Sequence, residues 1–223
     1  FLYRNDGNGV FTKITTGDIV NDVGDFAGGS WGDYNNDGFL DLFVSNFGAI
    51  GSDATARNCL YRNTGTGTFV KITSGAIVTD TAKFVANTWG DYDNDGFLDL
   101  FVCEYQPGNN FLYHNNGDGT FSGVTTGSIV NDGGDSYAAA FADYDNDGFL
   151  DLFVGNVNGQ ENFLYHNDGN TNQWLKVKCV GGPSNRAAIG AKVRVQAQNS
   201  IGALNWQMRE ISGGHCITQN SLI

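Results

Sequence analysis

The sequence predicts an all-β protein: four-stranded antiparallel blades forming part of a β-propeller, followed by a small C-terminal β domain. Three observations carry that expectation. A four-residue phrase returns four times, glycine and aromatic residues dominate the composition, and acidic nine-residue loops sit between apolar strands.

The phrase is Leu2-Tyr3-Arg4-Asn5, then Leu60-Tyr61-Arg62-Asn63, Leu112-Tyr113-His114-Asn115 and Leu164-Tyr165-His166-Asn167. Between its copies other features recur in fixed order. A Gly-rich turn such as Asn5-Asp6-Gly7-Asn8-Gly9 is followed by a short strand and by an Ile-Val-x-Asp segment starting at Ile19, Ile77 and Ile129. Next come Trp31-Gly32-Asp33, Trp89-Gly90-Asp91 and Phe141-Ala142-Asp143, each running into an acidic loop and then Phe-Leu-Asp-Leu-Phe-Val.

Each unit therefore offers four strands. In the unit at residues 84–125 the first ends at Trp89 and the second covers residues 98–103. The third covers 111–114, and the fourth covers 121–124 after the turn Asn116-Gly117-Asp118-Gly119. Such turns need positive φ, which Gly and Asn tolerate best. The second strand is apolar at nearly every position, so it is expected to be covered on both faces. A single four-stranded sheet cannot bury both of its faces, so neighbouring units must stack, and four strands per unit favour a radial propeller. The expected divisions are a half blade at residues 1–16, blades at about 26–73, 84–125 and 137–177, and a C-terminal β domain at 172–223. The last blade's final strand is expected to blend into residues 174–179. The half blade offers a third and fourth strand with no second strand beside them.

The 32 glycines, 16 phenylalanines and nine tyrosines, against two prolines, suit many short strands joined by tight turns. The chain has 24 acidic and 12 basic side chains for a net charge of −12, and it lacks the basic stripe that nucleic acid would need. No apolar run is long enough to span a bilayer, and Phe1-Leu2-Tyr3-Arg4-Asn5 has no signal-peptide character, so an exported form would already have lost its leader. Cys59, Cys103, Cys179 and Cys216 have no paired C-x-x-C spacing. Their even number favours two disulfides, Cys59 with Cys103 and Cys179 with Cys216, although three connectivities are open.

The acidic loops carry the chemistry. They run over residues 33–41, 91–99 and 143–151 and hold eleven of the 24 acidic side chains. So many carboxylates in so short a stretch repel one another unless a cation neutralises them. Side chains at positions 1, 3 and 5 converge on a hard cation when Gly at position 6 lets the chain turn. The expected ligands are Asp33, Asn35, Asp37, the Phe39 carbonyl and Asp41 in the first loop. In the second they are Asp91, Asp93, Asp95, the Phe97 carbonyl and Asp99, and in the third Asp143, Asp145, Asp147, the Phe149 carbonyl and Asp151. An all-oxygen set suits Ca²⁺ better than Mg²⁺, which demands a stricter octahedron. Asn35 gives the first loop one charge less, so its site should be the weakest. An EF-hand would need Glu at position 12, where this chain has Val44, Val102 and Val154 inside apolar strands.

These loops resemble the calcium loops of the FG-GAP and VCBS repeat families, which include the integrin alpha-subunit propeller, over residues 1 to about 170. From Asn172 the text changes. Gln173-Trp174-Leu175-Lys176-Val177-Lys178, Ser184-Asn185-Arg186-Ala187-Ala188-Ile189-Gly190-Ala191-Lys192-Val193 and Gly213-Gly214 resemble the ASPIC and UnbV domain, which implies a small β domain without known catalysis.

Catalysis is not expected. His114 and His166 share a repeat position with Arg4 and Arg62, which points to a structural role. His215 stands alone beside Cys216, and no nucleophilic triad or phosphate loop is legible. Tyr34, Tyr92, Tyr144, Trp31 and Trp89 could form a sugar-binding face, but their fixed place in the repeat favours blade packing. The expected function is an extracellular, calcium-rigidified structural or adhesion module that meets a protein or glycan surface. The open half blade is expected to be completed by further blades of one longer polypeptide, or else by head-to-tail association with a second copy. The alternative is the non-catalytic part of a secreted propeller hydrolase or lyase.

Overall fold

The structure is a computed structural model that describes residues 1–49, 56–106, 108–183, 185, 188–198, 204–211 and 218–219. Strands β1 (Leu2–Gly7) and β2 (Val10–Ile14) form an N-terminal hairpin. The first blade is β3 (Phe26–Gly32), β4 (Asp41–Asn46), β5 (Cys59–Asn63) and β6 (Phe69–Ile72), paired antiparallel in chain order. The second blade repeats this with β7 (Phe84–Gly90), β8 (Asp99–Glu104), β9 (Phe111–Asn115) and β10 (Phe121–Gly123). In the third, β11 (Ser136–Ala142), β12 (Asp151–Asn156) and β13 (Phe163–Tyr165) pair likewise. A second hairpin, β14 (Lys192–Gln198) and β15 (Leu204–Glu210), follows, and the two-residue β16 (Thr218–Gln219) lies parallel to β11. The all-β blade architecture is thus present, and no helix among the described residues is long and apolar enough to cross a membrane.

Stacking buries what one blade cannot. On β8, Leu100 and Val102 enter a cluster with Phe43, Trp89 and Tyr113 between the first and second blades. Phe101 and Cys103, from the alternate positions, enter another with Phe141, Leu152 and Val154 between the second and third. Each such side chain removed from water contributes about 1.5–3 kcal/mol, so β8 is held from both faces as its unbroken apolar run requires. The other two central strands are covered less. On β4 burial alternates, and on β12 Phe153 is exposed, because each packs against a neighbouring blade on one side. The first hairpin is almost wholly exposed, including Tyr3, Val10 and Phe11.

The Ile-Val-x-Asp segments become short turns between sheets: α1 (Asp18–Asn21), α2 (Ala76–Thr79) and a 3-10 turn at Ser128–Val130. Each closing aspartate accepts a bond from the tyrosine of the next repeated phrase: Tyr61 to Asp22 at 2.5 Å, Tyr113 to Asp80 at 3.0 Å and Tyr165 to Asp132 at 3.1 Å. The tyrosine thus ties the inter-blade turn to the third strand, which explains why both residues recur together.

Two expectations fail. Residues 174–179 form no strand, because Trp174 lies tightly over Gly148 and Lys176 reaches Asp143 and Asn146 at 3.4 and 2.6 Å, committing this segment to the third acidic loop instead of the edge of β13. Cys59 and Cys103 are free, buried thiols. They sit on different blades, with Cys103 packed into the second inter-blade cluster, so no disulfide joins them. Cys179 is also a free thiol. Its expected partner Cys216 lies outside the described residues, as do Ser184, Arg186, Ala187, Gly213, Gly214 and His215.

Candidate metal centres

Each acidic loop links the first and second strands of a blade, and its own backbone holds it folded. In the first, Asp33 accepts from the amides of Asp37 and Gly38 at 3.0 and 2.9 Å, Asn35 accepts from Asp37 at 3.1 Å, and Asp37 accepts from Phe39 at 2.9 Å. The second repeats the pattern, with Asp91 accepting from Asp95 and Gly96 at 2.9 and 3.0 Å, Asp93 from Asp95 at 3.3 Å, and Asp95 from Phe97 at 2.9 Å. The third keeps Asp145 to Asp147 and Asp147 to Phe149 at 3.2 and 2.9 Å. The carboxylates of Asp91, Asp93 and Asp95, and of Asp143, Asp145 and Asp147, lie within 4.8 Å of one another, Asp143 being met by Lys176 at 3.4 Å.

The position-9 aspartates come from the second strand and are buried almost completely. Asp41, Asp99 and Asp151 accept the amides of Asn63, Asn115 and Asn167 at 2.7, 2.8 and 2.9 Å. Those asparagines close the repeated phrase, and their side chains explain their recurrence. Each donates to the loop's position-8 carbonyl, from Leu40, Leu98 or Leu150, at 3.1, 3.0 and 3.1 Å. Asn115 and Asn167 also reach back to the Tyr34 and Tyr92 carbonyls of the preceding blade's loop at 2.8 and 2.7 Å. Asn36 and Asn94, at φ 56° each, reach forward to the Gly96 and Gly148 carbonyls of the following loop at 2.9 and 3.0 Å. Adjacent loops are therefore laced together in both directions.

The donor set fits a hard cation. Asp143 Oδ1 is a buried carboxylate oxygen with no hydrogen-bond partner, and such an oxygen is costly unless a cation engages it. Burial pushes the acids up: Asp33 to about 6, Asp41 and Asp99 to about 7 and Asp91 to about 8, with neighbouring carboxylates adding to the rise in each case. Arg209 of β15 opposes the rise at Asp91. Its Nη2 lies 3.8 Å from Asp91 Oδ2, and burial draws its own pKa down. A cavity of about 500 Å³ lies between the second and third loops and the β14–β15 hairpin, with Asp95, Asp143, Trp174, Lys176, Gln207 and Arg209 in its wall.

His114 and His166 prove to face the loops. His114 Nδ1 is 3.3 Å from both Asp93 and Asp99, an electrostatic approach rather than an aligned hydrogen bond. His166 Nδ1 stands 3.1 Å from Asp151 and 3.5 Å from Asp145. The Asp99 contact, against some loss from burial, pushes His114 up to about 9. The aromatic residues divide. Tyr34 and Trp89 stack in the core at 6.3 Å, whereas Tyr92 and Tyr144 meet His114 and His166 edge-on at 6.4 and 6.1 Å.

Phe39 and Phe97, expected carbonyl ligands, send their rings over Gly65 and Gly117 in the turn between the third and fourth strands, and Phe149 sends its ring over Gly169 after β13. At Gly117 a side chain would meet both φ +74° and the Phe97 ring at 2.6 Å, whereas Gly119 has φ +87° but open space. Gly117→Ala should therefore cost more than about 2 kcal/mol and Gly119→Ala about 1 kcal/mol in urea unfolding. Equal costs would show that the ring contact contributes nothing.

Four-stranded blades, each with an acidic loop between its first two strands, define a β-propeller-type repeat protein. The chain belongs to the FG-GAP-like repeat family, whose pattern matches residues 1–44, 49–102 and 91–154. It is similar to cartilage acidic protein 1 of Homo sapiens, 42% identical over 62 residues, which is 27% of this chain and 9% of that protein. The Xenopus tropicalis protein of the same name is 38% identical over 71 residues, 31% of this chain and 11% of that one. The aligned stretches thus span about a tenth of the length of these relatives. Among solved structures, an Agrocybe aegerita lectin, described for its recognition of non-reducing terminal N-acetylglucosamine, aligns with a TM-score of 0.45 at 18% identity over 92% of this chain and 53% of that one.

Proposed function

We propose that this chain is a calcium-binding structural and adhesion module of an extracellular protein, in which three calcium ions rigidify the blades. The observation that carries the reading is the set of three loops whose carboxylates, Asp143 apart, are already held by backbone amides, while the buried Asp143 Oδ1 has no donor. Residues at positions 1, 3, 5 and 9 would hold each ion, which supplies the positive charge that lets these acids stay ionised together. Extracellular sites of this type bind with Kd of about 0.1–1 mM, so they fill outside cells and empty in cytosol. Filling all three would move the net charge from −12 to about −6.

Calorimetric titration should find three calcium ions, with the first loop the weakest. Asp95→Ala should remove one ion and raise hydrogen exchange across residues 89–102 while leaving the other blades protected. Exchange that rises evenly across all blades would contradict independent loops.

The role is non-catalytic, and its partner is a protein or glycan surface. The cavity walled by Trp174, Lys176, Gln207 and Arg209 offers an aromatic ring beside charged and amide groups, which suits a glycan end. The apolar side chains exposed on the first hairpin and on the outer face of the third blade, Val10, Phe11 and Phe153, suit further blades from the same polypeptide or from a second copy joined head to tail. Light scattering with and without calcium tests self-association. A substrate screen tests the second reading, in which the blades support a secreted hydrolase or lyase.

A further inference from the structure

The geometry points to a second kind of metal site: we propose that the second and third loops each take a borderline divalent ion of the zinc class between the histidine of the repeated phrase and two loop carboxylates. The donors are His114 Nδ1 with Asp93 Oδ2 and Asp99 Oδ1, and His166 Nδ1 with Asp145 Oδ2 and Asp151 Oδ1. The proposal uses the same loops as the calcium reading but a different donor, the imidazole nitrogen, which calcium does not favour and zinc does.

Three features carry it. Distances come first. A tetrahedral ion with bonds of about 2.0–2.1 Å has donor-to-donor edges of roughly 3.3–3.4 Å. His114 Nδ1 stands 3.3 Å from each carboxylate oxygen, and His166 Nδ1 stands 3.5 and 3.1 Å from its two. The second feature is an unused donor. His114 Nδ1 is buried and makes no aligned hydrogen bond, although two carboxylates face it, whereas His166 Nδ1 is already hydrogen-bonded to Asp151 at 3.1 Å. The third is outer support. Asp99 is oriented by the amides of Tyr92 and Asn115 at 3.2 and 2.8 Å, and Asp151 by those of Tyr144 and Asn167 at 3.1 and 2.9 Å. Hydrogen bonds of this kind fix the ligating carboxylates before the metal arrives.

The repeat supplies its own control. In the first blade the matching residue is Arg62, which has no lone pair to give, and the matching loop residue is Asn35. The first loop should therefore take calcium alone. At the other two, zinc and calcium share two carboxylates and should compete. If the histidines serve only as cations beside the loops, arginine should replace them without loss.

Zinc chloride titrated calorimetrically into the full chain, with excess reductant and no calcium, tests this. Two ions per chain are expected. His114→Arg should leave one, as should His166→Arg, and the double variant none, while its calcium capacity stays at the level that each loop's carboxylates provide. Zinc K-edge absorption of the unaltered chain should show imidazole nitrogen and carboxylate oxygen without sulfur, which keeps the test valid if a variant fails to fold. No zinc uptake, sulfur ligation by the free cysteines, or undiminished uptake by the double variant would overturn the proposal. None of these results would touch the calcium reading, which is measured with calcium alone.

Discussion

Asn115→Ala is expected to destabilise the protein by about 2–4 kcal/mol, among the largest effects of any single polar substitution in the blades. The side chain is completely buried, and its amide donates to the Leu98 carbonyl within its own blade and to the Tyr34 carbonyl of the preceding one. Its Oδ1 accepts from Gly117 at 3.1 Å. Truncation leaves two buried carbonyls and one half-buried amide without partners, and each buried orphaned group costs about 1–3 kcal/mol. Asn5 closes the first copy of the same phrase but is exposed, and its side chain accepts from Gly7 at 2.9 Å. Asn5→Ala should therefore cost less than about 1 kcal/mol. Urea unfolding of the two variants checks the contrast, and similar costs would show that burial between blades is not what makes this asparagine matter.

In chelator, stability is expected to fall as pH rises from about 5 to 8, with a drop of several degrees in melting temperature. In the unfolded chain these aspartates titrate near 3.9. In the folded one burial and mutual repulsion place Asp33 at about 6, Asp41 and Asp99 at about 7 and Asp91 at about 8. Between those limits the folded state holds more protons than the unfolded state, so raising the pH favours unfolding. His114, pushed up to about 9, acts in the same direction, because its favourable charge is lost as pH rises through that value. Calcium should reverse the trend. It engages the ionised carboxylates, so its binding displaces protons and strengthens with pH. Melting curves with EGTA and with calcium should diverge toward pH 8. Parallel curves would mean that the acidic loops are not the calcium sites.

The blades were legible because the repeat marks every strand and turn. The phrase ending in Asn63, Asn115 and Asn167 locates the third strand, and the apolar run around Leu100 announces a strand buried on both faces. The loop residues were legible for the same reason. What the repeat could not convey was direction across blades. That Asn115 reaches back to Tyr34 and Asn36 forward to Gly96 follows from stacking, although the fixed recurrence of these asparagines was a signal that could have been used. His114 and His166 share a repeat position with Arg4 and Arg62, which points to strand packing, whereas both histidines face the acidic loops. Residues 174–179 have strand-like composition, but Trp174 and Lys176 gain more from Gly148, Asp143 and Asn146 than from pairing with β13. The cysteine count suggested bridges because parity says nothing about which blade each thiol occupies. Arg209, brought to Asp91 by the C-terminal hairpin, has no signature in the repeat at all.

The most direct measurement is the melting temperature of the chelator-stripped protein at pH 7.5, in EGTA and in 10 mM calcium, alongside metal analysis of the protein as isolated. With three sites of Kd about 0.1–1 mM, each contributes about 1.4–2.7 kcal/mol at that concentration. The melting temperature should then rise by on the order of 10–20 °C, with three calcium ions per chain found by analysis. An unchanged melting temperature together with no bound calcium would contradict the account.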